Sequence, residues 1–290
     1  MSEDIFSFKQ SFDGYLFERI KKLNIIHDIQ SSLFYSLSNG GKRLRPYFLF
    51  LSAQKCTLSM QNIFELGCAV EILHTSSLIH DDLPAIDNSD FRRSMPSSHR
   101  RFNEYTAILT GDFGFTLPLK ILDEMDLTLD KKTTIMSYFI RATIELFTGE
   151  TQDVIFEKEN KQVSPQDIIQ MYECKTGSLF GLCLCLPSII NSESYEYERL
   201  YYLGKQFGVF FQIMDDLDDI HLSSEQAGKD TGKDVDKKTL LSQWSEERVI
   251  NYSSSIYSNL VESFYNMGFV KLSTFISDYG KNIIERVRQG

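Results

Sequence analysis

The most constraining feature of this sequence is a burst of charge set directly against an apolar run. Asp81, Asp82, Asp87, Asp90, Arg92 and Arg93 lie within thirteen residues, and the preceding residues 63–79 carry Phe64, Leu66, Val70, Ile72, Leu73, Leu78 and Ile79. That run is too apolar for a surface helix. Broken by Glu71, His74, Ser76 and Ser77, it is also too interrupted for a membrane span, so it predicts a buried helix. Asp81 and Asp82 then emerge at its C-terminal end, where the helix dipole is negative and anions are unfavourable. A hard divalent cation relieves that conflict, and oxygen-rich clusters of this kind suit Mg²⁺.

The pattern returns once, in residues 211–219, where Asp215, Asp216, Asp218 and Asp219 sit in a second apolar stretch. Asp215 and Asp219 share a helix face about 40° apart, because each residue turns the helix by about 100°. One acidic pair is ordinarily a solvated helix end. Two pairs, each embedded in apolar sequence, point instead to metal chemistry.

With both clusters in hand the sequence resembles the trans-isoprenyl diphosphate synthases, the polyprenyl synthetases that make farnesyl, geranylgeranyl and longer diphosphates. Asp81, Asp82 and Asp87 resemble the family's first aspartate-rich motif in its bacterial and plant form, and Asp215, Asp216 and Asp219 resemble the second. The resemblance extends from Gly40 to Thr239. It implies an all-α, isoprenoid synthase-type helical bundle around a large central cavity, with the two motifs facing each other and basic residues at the rim. It also implies a homodimer, and about three Mg²⁺ per site with Mn²⁺ as a substitute.

The basic residues fit the same resemblance. Asn39-Gly40-Gly41 ends a helical pattern, and Lys42, Arg43 and Arg45 follow as three cations beside a flexible glycine pair, suited to phosphate oxygens. In the family, residues at the places of Lys42 and Arg45 hold isopentenyl diphosphate. His74 lies seven residues before Asp81 and therefore about 20° from it on the helix, and the family uses a histidine at this place for isopentenyl diphosphate. Arg92 and Arg93 are implied to meet the allylic and the isopentenyl diphosphate respectively, although Ser94 stands where the family has glycine. Gly111-Asp112 matches a Gly-Asp pair of a family helix. Gly149-Glu150-Thr151-Gln152-Asp153 is similar to the family's Gly-Gln-x-x-Asp, with Glu150 where glutamine is usual. Lys175-Thr176, Gln212 and the loop residue Lys229 are implied ligands of the allylic diphosphate. Lys237-Lys238-Thr239 comes two residues earlier than the family's Lys-x-Thr. Asp81, Asp82, Asp215, Asp216 and Lys175 are thereby the implied catalytic set.

Composition narrows the class further. Apolar residues make up 42 % of the 290, enough for a sizeable core, and no Pro/Gly/Ser-rich linker interrupts the chain. Long apolar-periodic stretches dominate over β-branched alternation, which predicts one all-α polyprenyl synthetase domain over residues 1–290. A formal net charge of −10 argues against nucleic acid as a partner, so an anionic substrate needs a local basic pocket or metal. Five cysteines, an odd number without zinc-ligand spacing, predict reduced thiols and a cytoplasmic protein. Neither a secretory signal after Met1 nor a membrane-spanning run is expected.

The chemistry implied is head-to-tail 1′–4 condensation. The allylic C–O bond ionises once charge on the leaving diphosphate is neutralised, and the cation meets isopentenyl diphosphate before water does. Dimethylallyl, geranyl and farnesyl diphosphates are the implied allylic partners. In the family, bulky aromatics four and five residues before the first aspartate form a floor that stops growth at fifteen carbons. Ser76 and Ser77 hold those places here, which predicts a twenty-carbon geranylgeranyl product over farnesyl, with Phe113, Phe115 and Phe147 as alternative floors. Two other readings stay open: a terpene cyclase, and a non-catalytic subunit of a heteromeric prenyl synthase.

Overall fold

The computed structural model describes residues 3–159, 162–191, 196–221 and 238–289. These residues are overwhelmingly helical, as the periodicity predicts. They divide into two compact units, Met1–Phe50 with Leu58–Met136, and Leu51–Thr57 with Ser137–Gly290.

In the first unit α1 (Glu3–Lys21), α2 (His27–Ser38), α3 (Leu44–Ser52, whose last turn belongs to the second unit), α4 (Met60–Asp81) and α6 (Glu104–Glu124) build the core. Between α4 and α6 lie a two-residue hairpin, β1 (Phe91–Arg92) and β2 (Met95–Pro96), and the short α5 (Ser98–Arg101). Sequence periodicity extends the first helix to residue 26, but α1 stops at Lys21. The Gln30 amide donates to the carbonyls of Ile20, Lys21 and Leu23, satisfying the helix end there. Helix α4 is the predicted buried helix. It opens on Ser59, whose side chain accepts from the Asn62 amide, and packs against α1, α2 and α6. Its approach to α6 is close because glycine lies opposite: a Cβ at Gly114 would fall 1.7 Å from Ser76 Oγ, and one at Gly111 would fall 2.1 Å from His80 Nε2.

The second unit contains most of α7 (Leu129–Lys158), then α8 (Pro165–Tyr172), a π-helical turn (Glu173–Gly177), α9 (Ser178–Asn191), α10 (Glu196–His221), α11 (Glu246–Asn266) and α12 (Val270–Gln289). Ser164 caps α8 in a reciprocal capping box with Asp167, with Pro165 at the first helical position. Residues 165–191 are, by length and composition alone, long and apolar enough to cross a membrane. However, 89 % of their most apolar window is buried inside the protein, the placement of a core helix. Helix α10 packs through glycine on α9 and on the π-helical turn: a Cβ at Gly204 would lie 2.5 Å from Gly181 Cα, and one at Gly208 would lie 2.2 Å from Gly177 Cα.

Candidate active site

In the first unit the glycine loop, the C-terminal end of α4 and the hairpin come together. Gly40 and Gly41 have φ of +95° and +118°, and Arg43 follows at +50°, so the chain turns sharply between α2 and α3. The turn separates the three cations that the sequence groups as one clamp. Lys42 is exposed, whereas Arg43 is swallowed by the core at 2 % exposure. Its Nε meets Asp13 at 2.6 Å, one terminal nitrogen meets Glu71 at 2.8 Å, and the other donates to Leu37 O at 2.6 Å. Arg43 is therefore an anchor for the loop, and Lys42 and Arg45 remain as the cations it presents.

Arg45 donates from a terminal nitrogen to His74 Nε2 at 3.1 Å, which joins two predicted ligands of the same substrate. Desolvation, then the Arg45 and Arg93 guanidiniums, hold the His74 imidazole well below its ordinary range. It is thus neutral, with Nε2 accepting. Arg93 donates to Gly40 O at 2.7 Å, and its guanidinium occupies the space a Cβ on Gly41 would need, about 3.0 Å away. Arg93 and Ser94 both have positive φ, +54° and +63°, the two-residue turn that a tight hairpin demands. Ser94, which departs from the family's glycine, therefore stands where glycine would carry no strain.

Asp81 and Asp82 end α4 as expected, and both are buried. The chain beyond folds back over the helix end: Asp87 N donates to Asp81 O at 2.9 Å and Ser89 N to Asp82 O at 3.2 Å. Asp87 is in this way brought back beside the pair. Arg92 Nε donates to Asp82 Oδ1 at 3.0 Å. Burial pushes the Asp82 carboxyl up, with Arg92 opposing it. Ser76 does not line open space: it is fully buried, bonds Ile72 O at 2.8 Å and faces Gly114 of α6. Ser77 donates to His74 O at 2.9 Å and stands one turn behind Asp81. Phe113 and Phe147 are exposed at 40 % and 43 %, and Phe115 packs edge-on against His80.

In the second unit the Lys175-Thr176-Gly177 segment forms the π-helical turn, a wound-out stretch that periodicity did not reveal. Gly149 of α7 admits it, since a Cβ there would lie 2.2 Å from Lys175 N. Lys175 Nζ meets Asp153 at 2.6 Å and Glu150 at 2.9 Å. Thr176 donates to Gln212 Oε1 at 2.8 Å, and Gln212 Nε2 donates to Asp216 Oδ1 at 3.0 Å. Tyr172 donates to the other Asp216 oxygen and accepts from Leu240 N at 3.4 Å. Sequence reasoning missed Tyr172, whose only signal is its place on α8 just before the Lys-Thr-Gly segment. Desolvation pushes the Asp216 carboxyl up to about 7, against the bonds from Tyr172 and Gln212. Asp215 and Asp219 lie half-buried on the same helix. Lys229, Lys237 and the loop at 228–234 lie outside the described residues.

The donors fit Mg²⁺. Both clusters are all-oxygen, and among the described residues no three His, Cys, Asp or Glu side chains converge into a ready-made cage. Mg²⁺ is ordinarily held by one or two carboxylates together with substrate phosphate oxygens, and such sites need no closed protein cage.

The fold is that of an isoprenoid synthase. The sequence model of the family described as polyprenyl synthetase matches residues 27–279. The farnesyl diphosphate synthase of Bacillus subtilis (strain 168) is 34 % identical over 247 residues, covering 82 % of this chain and 83 % of its own. Geranylgeranyl pyrophosphate synthase 4 of Arabidopsis thaliana is 31 % identical over 80 % of this chain and 66 % of its own. The crystal structure of a geranyltranstransferase from Thermotoga maritima superposes with a TM-score of 0.85 at 29 % identity, over 98 % of this chain and 100 % of that one. The chain belongs to the polyprenyl synthetase family, the trans-prenyltransferases that make prenyl diphosphates.

Proposed function

We propose that residues 1–290 act as one polyprenyl synthetase domain that condenses isopentenyl diphosphate head-to-tail with dimethylallyl, geranyl and farnesyl diphosphates in a Mg²⁺-dependent reaction. The observation that carries the reading is the Arg45–His74 contact beside the Asp81–Asp82 helix end, with Arg93 seated on the same glycine loop. Lys42, Arg45, His74 and Arg93 hold isopentenyl diphosphate. Arg92, Lys175, Thr176, Gln212 and Lys229 hold the allylic diphosphate. Asp81, Asp82, Asp87, Asp215, Asp216 and Asp219 are the metal ligands. When bound, Mg²⁺ neutralises charge on the leaving diphosphate, which favours ionisation of the allylic C–O bond. A neutral His74 beside Arg45 leaves the guanidinium charge available to isopentenyl diphosphate. The released diphosphate takes the proton as the new double bond forms, so no protein nucleophile is needed.

The product is geranylgeranyl diphosphate in preference to farnesyl diphosphate. Support comes from serine at position 77, one turn below Asp81, and from the exposure of Phe113 and Phe147, which keeps those rings out of their unit's interior. Because Ser76 packs on Gly114, the length-determining role falls to Ser77. A homodimer is also proposed. Tyr105, Ile108, Leu109 and Phe113 form an exposed apolar stripe on α6, and Ile140, Ile144 and Phe147 form another on α7. The cytoplasm is its proposed location.

The test is purified protein with isopentenyl and dimethylallyl diphosphates, with Mg²⁺ or with a chelator, and products read by mass spectrometry. Asp81→Ala and Asp215→Ala should each lower turnover at least about a hundredfold. Cyclic hydrocarbon products would establish the terpene cyclase instead. No turnover without an added partner protein would establish the non-catalytic subunit.

A further inference from the structure

Lys175 is held by two carboxylates, and the backbone makes this unavoidable. Glu150 and Asp153 are three residues apart on α7 and so share one face. Gly149 beside them lets the π-helical turn approach until Lys175 N would lie 2.2 Å from a Cβ. The ammonium then falls between both acids, at 2.9 Å from Glu150 Oε2 and 2.6 Å from Asp153 Oδ2, with the three side chains only 24 %, 15 % and 13 % exposed. Ion pairs shielded from solvent in this way are stronger than exposed surface pairs.

An anion that binds Lys175 must therefore take it from carboxylates already in contact. We propose that Glu150 sets the affinity of this subsite by competing with the diphosphate of the allylic substrate for the Lys175 ammonium. The inference rests on the reading of Lys175 as an allylic-diphosphate ligand. A neutral amide at position 150 keeps the shape and a hydrogen-bond acceptor but removes the competing charge. Glu150 is thus a residue that tunes specificity through Lys175, and it is not itself a ligand.

The experiment uses the full chain and inorganic diphosphate as probe, titrated calorimetrically in chelator so that metal plays no part. Glu150→Gln should bind the probe about fivefold to tenfold more tightly than the parent, and Lys175→Ala should bind it more weakly. The double variant should bind like Lys175→Ala alone, because the competition acts only through the lysine. In steady state Glu150→Gln should lower the KM for the allylic substrate and leave that for isopentenyl diphosphate unchanged, a split that general loosening of the fold would not produce. Glu150→Ala, which removes the carboxylate altogether, should reproduce the gain if the glutamine variant folds poorly. Unchanged affinity in the position-150 variants with a weakened Lys175→Ala would overturn the proposal and leave the role of Lys175 standing. Unchanged affinity in Lys175→Ala would remove that role and the proposal together.

Discussion

Arg43 and Arg45 are two residues apart and serve opposite ends. The positive φ at Arg43 turns its side chain into the core onto Asp13, Glu71 and a carbonyl, while Arg45 contacts His74. Removing a buried partner leaves its carboxylates uncompensated at a cost of about 3–5 kcal/mol. Arg43→Ala should therefore lower the melting temperature by several degrees, read by circular dichroism. Arg45→Ala should leave it nearly unchanged and raise the KM for isopentenyl diphosphate. Asp216 makes a second residue-level prediction. Folded, it keeps its proton up to about pH 7, whereas an unfolded aspartate loses it near pH 4. Its contribution to stability falls as pH rises through that window and is constant above it. As a proposed ligand of Mg²⁺, Asp216 must lose this proton when the ion binds, so Mg²⁺ binding at pH 6 should release more protons than at pH 8.5. Calorimetry in buffers of different ionisation heat measures this, and equal release at both pH values would contradict it.

Among elements, the packing of α9 and the π-helical turn on α10 positions Thr176, Gln212 and Asp216 within the second unit. Gly177 and Gly181 face Gly208 and Gly204 with no room for a side chain, which brings Thr176 to Gln212 and Gln212 to Asp216. Gly208→Ala should cost about 1–3 kcal/mol through overpacking. It should also weaken binding of the allylic diphosphate more than that of isopentenyl diphosphate. Chemical denaturation and the two KM values check both statements. Equal effects on the two substrates would place the glycine packing outside the allylic subsite.

Product length and assembly are properties of the whole molecule. Ser77→Phe should shorten the product towards farnesyl diphosphate, measured by chain-length analysis with excess isopentenyl diphosphate. Ser76→Tyr is a poor probe, since tyrosine there must push α6 away from α4. A parent protein that already stops at fifteen carbons would defeat the open-floor idea. The apolar stripes on α6 and α7 predict a dimer in light scattering. Leu109→Asp with Ile144→Asp should give a monomer, because charge on either stripe opposes its burial.

The all-α class, the buried helix ending at Asp81 and the family were all legible in sequence, because helical periodicity and motif spacing are local properties. The chain's own departures, Ser94 and Glu150, were legible too, but what they do was not. Whether Arg43 faces substrate or core depends on one left-handed φ, and Ser76 faces Gly114 because two helices cross there. Lys175 sits between two acids because a π-helical turn meets Gly149. Each of these depends on how far the backbone of one element can approach another, a distance set by partners remote in sequence, so the tertiary structure decided it.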